Sequence, residues 1–231
     1  MQAQMSLSMC GSEGDLEAEA AFRSTMQDLN AAPCFALVDS EEKILQLERD
    51  GSPLVLFFAD IDRAMLEVDK GRRSTPSREL TVQPVGLGNA YDQVRQGIAA
   101  IVPGDGELNA ANGMQLAAPE DALGMLASAG IAPPVVEFPN DVLPLFGCAK
   151  MTRRRPDGSR FLPLFMSSAD AQKSFDAAMS RAPDGKAPDG FEIDVFELPK
   201  MVKLAVEGKP IRVIPPTQSM LYLQGKYPDT A

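Results

Sequence analysis

Two carboxylates one residue apart at the tip of an apolar run are the first chemistry this sequence offers. Leu54-Val55-Leu56-Phe57-Phe58 is unbroken hydrophobic sequence, and Asp60-Ile61-Asp62 follows it. Paired acids at a strand tip can hold Mg²⁺ and attack a phosphoester, as in haloacid-dehalogenase-like phosphatases. The Thr or Val expected two residues after the second acid is Ala64, and Ser168 with Asp170 stands in a similar place further along the chain. That recurrence suits a helix cap followed by an acidic first turn better than a metal site. Gly86-Leu87-Gly88-Asn89-Ala90-Tyr91 follows one predicted strand and opens a helix, as a dinucleotide fingerprint would, but Tyr91 occupies the third glycine position, where a side chain obstructs helix packing on the strand. Gly104-Asp105-Gly106 reads as a turn. No G-K-[ST] is present to cradle phosphate.

The remaining candidate is a surface. Lys150, Arg153, Arg154, Arg155 and Arg160 form the one dense basic cluster and flank the Asp157-Gly158 turn. They read either as a solvated hairpin tip whose charge blocks unwanted strand pairing, or as a docking patch for an anionic lipid surface or an acidic partner.

Composition closes many other routes. The 231 residues contain no histidine, which removes every imidazole-dependent triad, the H-E-x-x-H zinc proteases and all His metal ligands. Lys+Arg 22 against Asp+Glu 32 leaves a net charge of −10, the wrong sign for a nucleic-acid footprint. Cys10, Cys34 and Cys148 are too scattered for a disulfide scaffold and read as buried small hydrophobes, although one bridge is arithmetically possible. No cofactor or metal site is expected. No apolar run approaches the roughly 20 residues that span a bilayer, which points to a soluble chain. The first basic residue is Arg23, so the start has neither a secretory n-region nor an Arg-rich transit character; the protein stays where it is made, or an address has been removed.

The elements that must position these residues occur twice. After a Met-rich lead, Ser12-Glu13-Gly14-Asp15 has capping-box spacing and Ala18, Phe22, Met26 and Leu29 mark an amphipathic helix ending before Pro33. Strands follow at Cys34 to Val38, Ile44 to Leu47 and, past an Asp50-Gly51 turn, Leu54 to Phe58, whose continuous apolarity predicts burial on both faces. A helix bears Ile61, Ala64, Met65 and Val68, and Lys70 to Glu79 reads as a loop. A strand opens at Leu80, a helix carries Leu87, Tyr91 and Val94, and a strand covers Ile98 to Val102. The same order returns with strands at Val135 to Phe138, Leu145 to Met151 and Phe161 to Met166. A helix then carries Ala171, Phe175, Ala178 and Met179, a strand Phe191 to Val195, a helix Leu198, Val202 and Ala205, and a strand Ile211 to Ile214. Equivalent points lie 107 (Asp50 to Asp157), 108 (Phe57 to Phe165), 111 (Leu80 to Phe191) and 112 (Val102 to Ile214) residues apart, which predicts an internal duplication.

The expected fold is therefore α/β: two pseudo-symmetric βββαβαβ-like halves forming one mixed-sheet and helix body. Its expected parts are a lead and amphipathic helix (1–32), a first half (33–113), a connecting helix (114–133), a second half (134–224) and a tail (225–231). A cut into two domains near residue 132 is the alternative. Met220, Tyr222 and Leu223 either complete the core or add to an adaptable apolar surface.

The second copy resembles a known family, the 22-kDa subunit of the translocon at the inner envelope of chloroplasts, in its algal type. Arg160-Phe161-Leu162-Pro163-Leu164-Phe165-Met166-Ser167-Ser168-Ala169-Asp170 is similar to the family's Y-I-P-L-F-F-S-x-E-D stretch. Phe191 to Leu198 and Ile211-Arg212-Val213-Ile214-Pro215-Pro216 are similar to its later strand, helix and F-I-P-P ending. Pro33 to Val38 and Leu56 to Phe58 fit its first half more loosely. The resemblance implies a non-enzymatic, chaperone-like protein without catalytic residues. It would be peripheral in the intermembrane space of a plastid and handle preproteins between outer and inner translocons, with preproteins or translocon subunits as partners. Two other readings stay open: a peripheral structural subunit of a plastid membrane complex such as an algal photosystem, and the Mg-dependent phosphatase built on Asp60 and Asp62.

Overall fold

The computed structural model describes residues 13–49, 51–77, 79–112, 142–181 and 190–226. The Met-rich lead with Cys10 and Ser12, Asp50, the expected connecting helix, the expected strand at 135–138 and the last residues of the tail lie outside them.

The chain opens with α1 (Glu13–Leu29), whose Met26 and Leu29 are buried, whose Phe22 packs against the same core and whose Ala18 is exposed, so the expected stripe meets the core from Phe22 onward. The first half then runs β1 (Pro33–Asp39), β2 (Gln46–Arg49), β3 (Ser52–Phe58), α2 (Ile61–Ser74), β4 (Leu80–Gly86), α3 (Leu87–Arg95), β5 (Ala99–Val102) and α4 (Glu107–Asn112). The second repeats this order as β6 (Pro144–Gly147), β7 (Arg153–Arg154), β8 (Arg160–Phe165), α5 (Ser168–Met179), β9 (Asp194–Glu197), α6 (Leu198–Val206), β10 (Ile211–Ile214) and α7 (Thr217–Lys226).

Both sheets have the same topology. In the first, β3 pairs antiparallel with β1 and β2 and parallel with β5, while β1 pairs antiparallel with β4. In the second, β8 stands in the same relation to β6, β7 and β10, and β6 to β9. The expected duplication is thus a repeat of connectivity as well as of order. Its register differs from the spacing expected from sequence: Phe35 faces Phe58 and Phe146 faces Phe165, so Phe58 rather than Phe57 is the counterpart of Phe165. The counterpart of β1 is the short strand β6, and that of β2 is the arginine strand β7. Leu145 to Met151 is therefore not one strand.

The continuous apolar run of β3 is buried on both sides because the strand divides two clusters. Val55 and Phe57 join Cys34 and Ala36 on one face, and Phe58 joins Phe35, Ile61, Ala64 and Val68 on the other. The inner cluster continues into the second sheet through Leu145, Leu164 and Val213 and takes in residues of α1, α3 and α6. The two halves therefore share one central core. On the outer face of the second sheet, Phe146, Phe165 and Val195 pack with Ala171 of α5.

The outer layers are exchanged. Tyr222 and Leu223 of α7, at the end of the second half, pack on the first sheet, with the Tyr222 ring edge-on to Phe35 at 6.1 Å. Leu108, Ala110 and Ala111 of α4, at the end of the first half, pack on the second. Neither helix was expected from local pattern. The expected loop at Lys70 to Glu79 is also corrected: α2 runs on to Ser74, where Gly71 lets the Leu80 side chain close onto the helix and Arg72 Nη2 donates to the Leu80 carbonyl at 3.0 Å. β9 starts at Asp194, three residues later than the expected strand.

Candidate functional site

The Asp60 carboxylate is a helix cap. It accepts from the backbone N–H groups of Asp62 (2.9 Å) and Arg63 (3.2 Å), two donors that the first turn of α2 would otherwise leave open. Burial raises its pKa above the ordinary carboxylate value, outweighing the backbone hydrogen bonds. In the second half Ser167, not Ser168, takes the place of Asp60, and its hydroxyl accepts from Asp170 N at 3.4 Å. Asp60 thus caps α2 and Asp62 is the acid of its first turn, a pattern the second half repeats with Ser167 and Asp170. Among the described residues no group of His, Cys, Asp and Glu converges to hold a metal ion.

The glycines of the Gly86-Leu87-Gly88 motif serve helix contact. A Cβ on Gly88 would collide with the Met26 carbonyl oxygen of α1, and one on Gly86 with the Asn30 side chain. Asn30 Oδ1 accepts from Asn89 N at 2.9 Å, so a residue just beyond α1 supplies the cap that Gly86 lacks. Gly104-Asp105-Gly106 is the expected turn, with Gly106 at φ 85°, and Asp105 pairs with Arg63 at 2.5 Å. Cys34 and Cys148 are free and buried, and burial pushes the Cys34 thiol up to about 12.

Of the basic candidates, Arg153, Arg154, Arg155 and Arg160 share the β7–β8 hairpin and are all exposed. Arg153 donates to Ser174 Oγ at 2.7 Å and lies 5.5 Å from the Phe165 ring centroid. Arg155 lies 5.4 Å from the Phe161 ring, and Arg212 of β10 comes to the same ring at 5.9 Å. Such stacking leaves a guanidinium charged and available while restraining its position. Lys150 is set apart, over Gly190 and 5.8 Å from the Phe191 ring. Arg212 was not among the expected cations; the parallel pairing of β10 with β8, which puts it beside Pro163, brings it there.

A groove of about 530 Å³ opens next to this hairpin, between α1, α6 and β10. Leu29, Met201, Val202 and Val213 supply apolar wall, and Arg155, Lys209, Arg212 and Asp28 supply charge. Its lining comes from residues distant in sequence, and the amphipathic spacing of α1 and α6 was the available signal for it. Tyr222 and Leu223, the other expected apolar surface, instead complete the outer cluster on the first sheet, leaving Leu221 exposed beside them.

The molecule is a duplicated α/β scaffold with exchanged outer helices, an apolar groove with charged residues among its lining, and carboxylates spent on capping. Its fold is similar to that of Tic22. Tic22 from Plasmodium falciparum superposes with a TM-score of 0.65 at 16% identity, covering 89% of this chain and 98% of that one. Anabaena Tic22, a protein of protein transport, superposes with a TM-score of 0.61 at 16% identity, covering 88% of this chain and 96% of that one. No protein-family profile matches the sequence, and no curated protein matches it. The α/β fold of two similar halves expected from the sequence is the fold found. Among the described residues no helix is long and apolar enough to cross a membrane.

Proposed function

We propose that this chain is a non-enzymatic component of plastid protein import. In this reading it holds preproteins in a chaperone-like manner in the intermembrane space, between the outer and inner envelope translocons. The observation that carries the reading is the extent of the shared fold, nearly the whole of this chain on nearly the whole of Tic22. The groove between α1, α6 and β10 supports it, because an apolar slot with a flexible methionine in its wall suits segments of varied sequence. The capping role of Asp60 weighs against the phosphatase reading. The decisive experiment is crosslinking in intact organelles with neighbours identified by mass, paired with an in vitro test of aggregation suppression. Transit-bearing preproteins and translocon subunits should dominate the crosslinks, and Ala205→Lys, which places a charge at a half-buried position of the groove lining, should weaken suppression. Recovery of a stable stoichiometric membrane complex without preproteins would favour a structural subunit instead.

A further inference from the structure

Arg154 and Arg160 are direct cross-strand partners on the β7–β8 hairpin, and both are exposed. Like charges facing each other across an antiparallel pair repel. None of Arg153, Arg154, Arg155 and Arg160 forms a salt bridge among the described residues. The nearby carboxylate of Asp157 is turned onto Ser159, whose N–H and hydroxyl it accepts at 2.8 and 2.7 Å, although it feels the Arg155 charge. The fold does not demand Arg153, Arg154 or Arg160. The first half builds the equivalent hairpin with Leu47, Glu48 and Pro53 where the second has Arg153, Arg154 and Arg160.

A repulsive pair maintained on a chain of net charge −10 indicates an anion that is not part of the chain. The cations spread over the hairpin and β10, and Arg153, Arg155 and Arg212 are propped on aromatic rings. Guanidinium forks in that arrangement match phosphate oxygens. We propose that this end of the molecule docks on an anionic lipid bilayer, with the hairpin arginines taking the phosphodiester headgroups. A broad planar array of phosphates satisfies charges spread over two elements, whereas an acidic polypeptide would meet them one carboxylate at a time. The acidic remainder of the surface is repelled by the same membrane, so the docked orientation is defined. Arg155, Lys209 and Arg212, which contribute to the groove lining, then face the bilayer.

Flotation of the full chain with vesicles tests this. Wild type should float with phosphatidylcholine vesicles containing phosphatidylglycerol, stay behind with phosphatidylcholine alone, and be released by raised salt. Each cation near an anionic surface strengthens binding roughly fivefold, so R154Q/R160Q should weaken it by at least about tenfold. Because the double variant relieves repulsion, its thermal midpoint should hold or rise. Unchanged flotation of the variant overturns the proposal. So does a marked fall in its thermal midpoint, which would make the arginines structural. Retention on immobilised polyglutamate without flotation on anionic vesicles would overturn the lipid assignment in favour of an acidic protein.

Discussion

Glu107 and Ser219 occupy equivalent positions 112 residues apart, and each uses a side-chain oxygen to hold the first N–H of a helix in the opposite half. Glu107 Oε2 accepts from Ser168 N at 2.9 Å, and Ser219 Oγ accepts from Ile61 N at 3.1 Å. Ser168 and Ile61 are themselves equivalent, as the first residues of α5 and α2. Helix α4 thus completes the second half and α7 the first: each outer sheet face is covered jointly by a helix of its own half, α2 or α5, and by one from the other half. Glu107→Ala and Ser219→Ala should each cost about 1 kcal/mol, the usual loss when a helix-start donor loses its side-chain acceptor. Both variants, like wild type, should unfold in a single urea transition seen alike by circular dichroism and Tyr fluorescence. Two separate transitions would contradict the exchange as a source of cooperativity.

Gly88 tests the α1–α3 contact with a sign reversal. In an exposed helix Ala stabilises relative to Gly by about 1 kcal/mol. Here a Cβ at residue 88 would meet the Met26 carbonyl, which is backbone and cannot swing aside. Gly88→Ala should therefore destabilise by about 2 kcal/mol or more in denaturant titration, because α1 must move off α3. A neutral or stabilising result would show that α1 is held there weakly.

The parts that could be read from the sequence are those whose environment is written locally. The β3 run announces burial on two faces, and the glycine turns at Gly51 and Gly158 adopt the positive φ of 76° and 87° that tight hairpins need. Helices α4 and α7 escaped because their apolar residues answer to a sheet in the other half. Ala110 and Ala111 make no amphipathic stripe, and Tyr222 finds Phe35 only through the exchange. The basic hairpin was legible as a cluster, but not its extension to Arg212, since β8 and β10 are neighbours only across α5, β9 and α6. The groove showed in the sequence only as the amphipathic spacing of α1 and α6, because α1 and β10 meet only in the folded molecule.

Cys34 should behave as a core residue. It is fully buried, and burial pushes its thiol up to about 12, so almost none is thiolate at mildly alkaline pH. Iodoacetamide at pH 8 should leave Cys34 unmodified in the native protein and label it fully in urea, as read by peptide mass spectrometry. Native labelling at the rate of a free thiol would show that β1 opens readily.

Asp60 separates the two things a capping carboxylate does. The helix N-terminus and two backbone N–H groups favour its charge, but burial, with added repulsion from Asp62 and Asp105, leaves its folded pKa above the ordinary value. A carboxyl shifted upward binds its proton more readily folded than unfolded. Its contribution to stability is therefore fully present below the ordinary carboxylate pKa and lost as pH rises through the raised value. Asn keeps an acceptor for Asp62 N and Arg63 N without the charge. Asp60→Asn should thus match or exceed wild-type stability at pH 7 and show a smaller decline from mildly acidic to neutral pH. Asp60→Ala, which also removes the acceptor, should cost about 1 kcal/mol relative to Asp60→Asn at neutral pH. Thermal melts of the three proteins across that range decide the matter. If Asp60→Asn instead loses stability at pH 7 while matching wild type in acid, the charge itself is favourable, and the helix terminus rather than burial controls this residue.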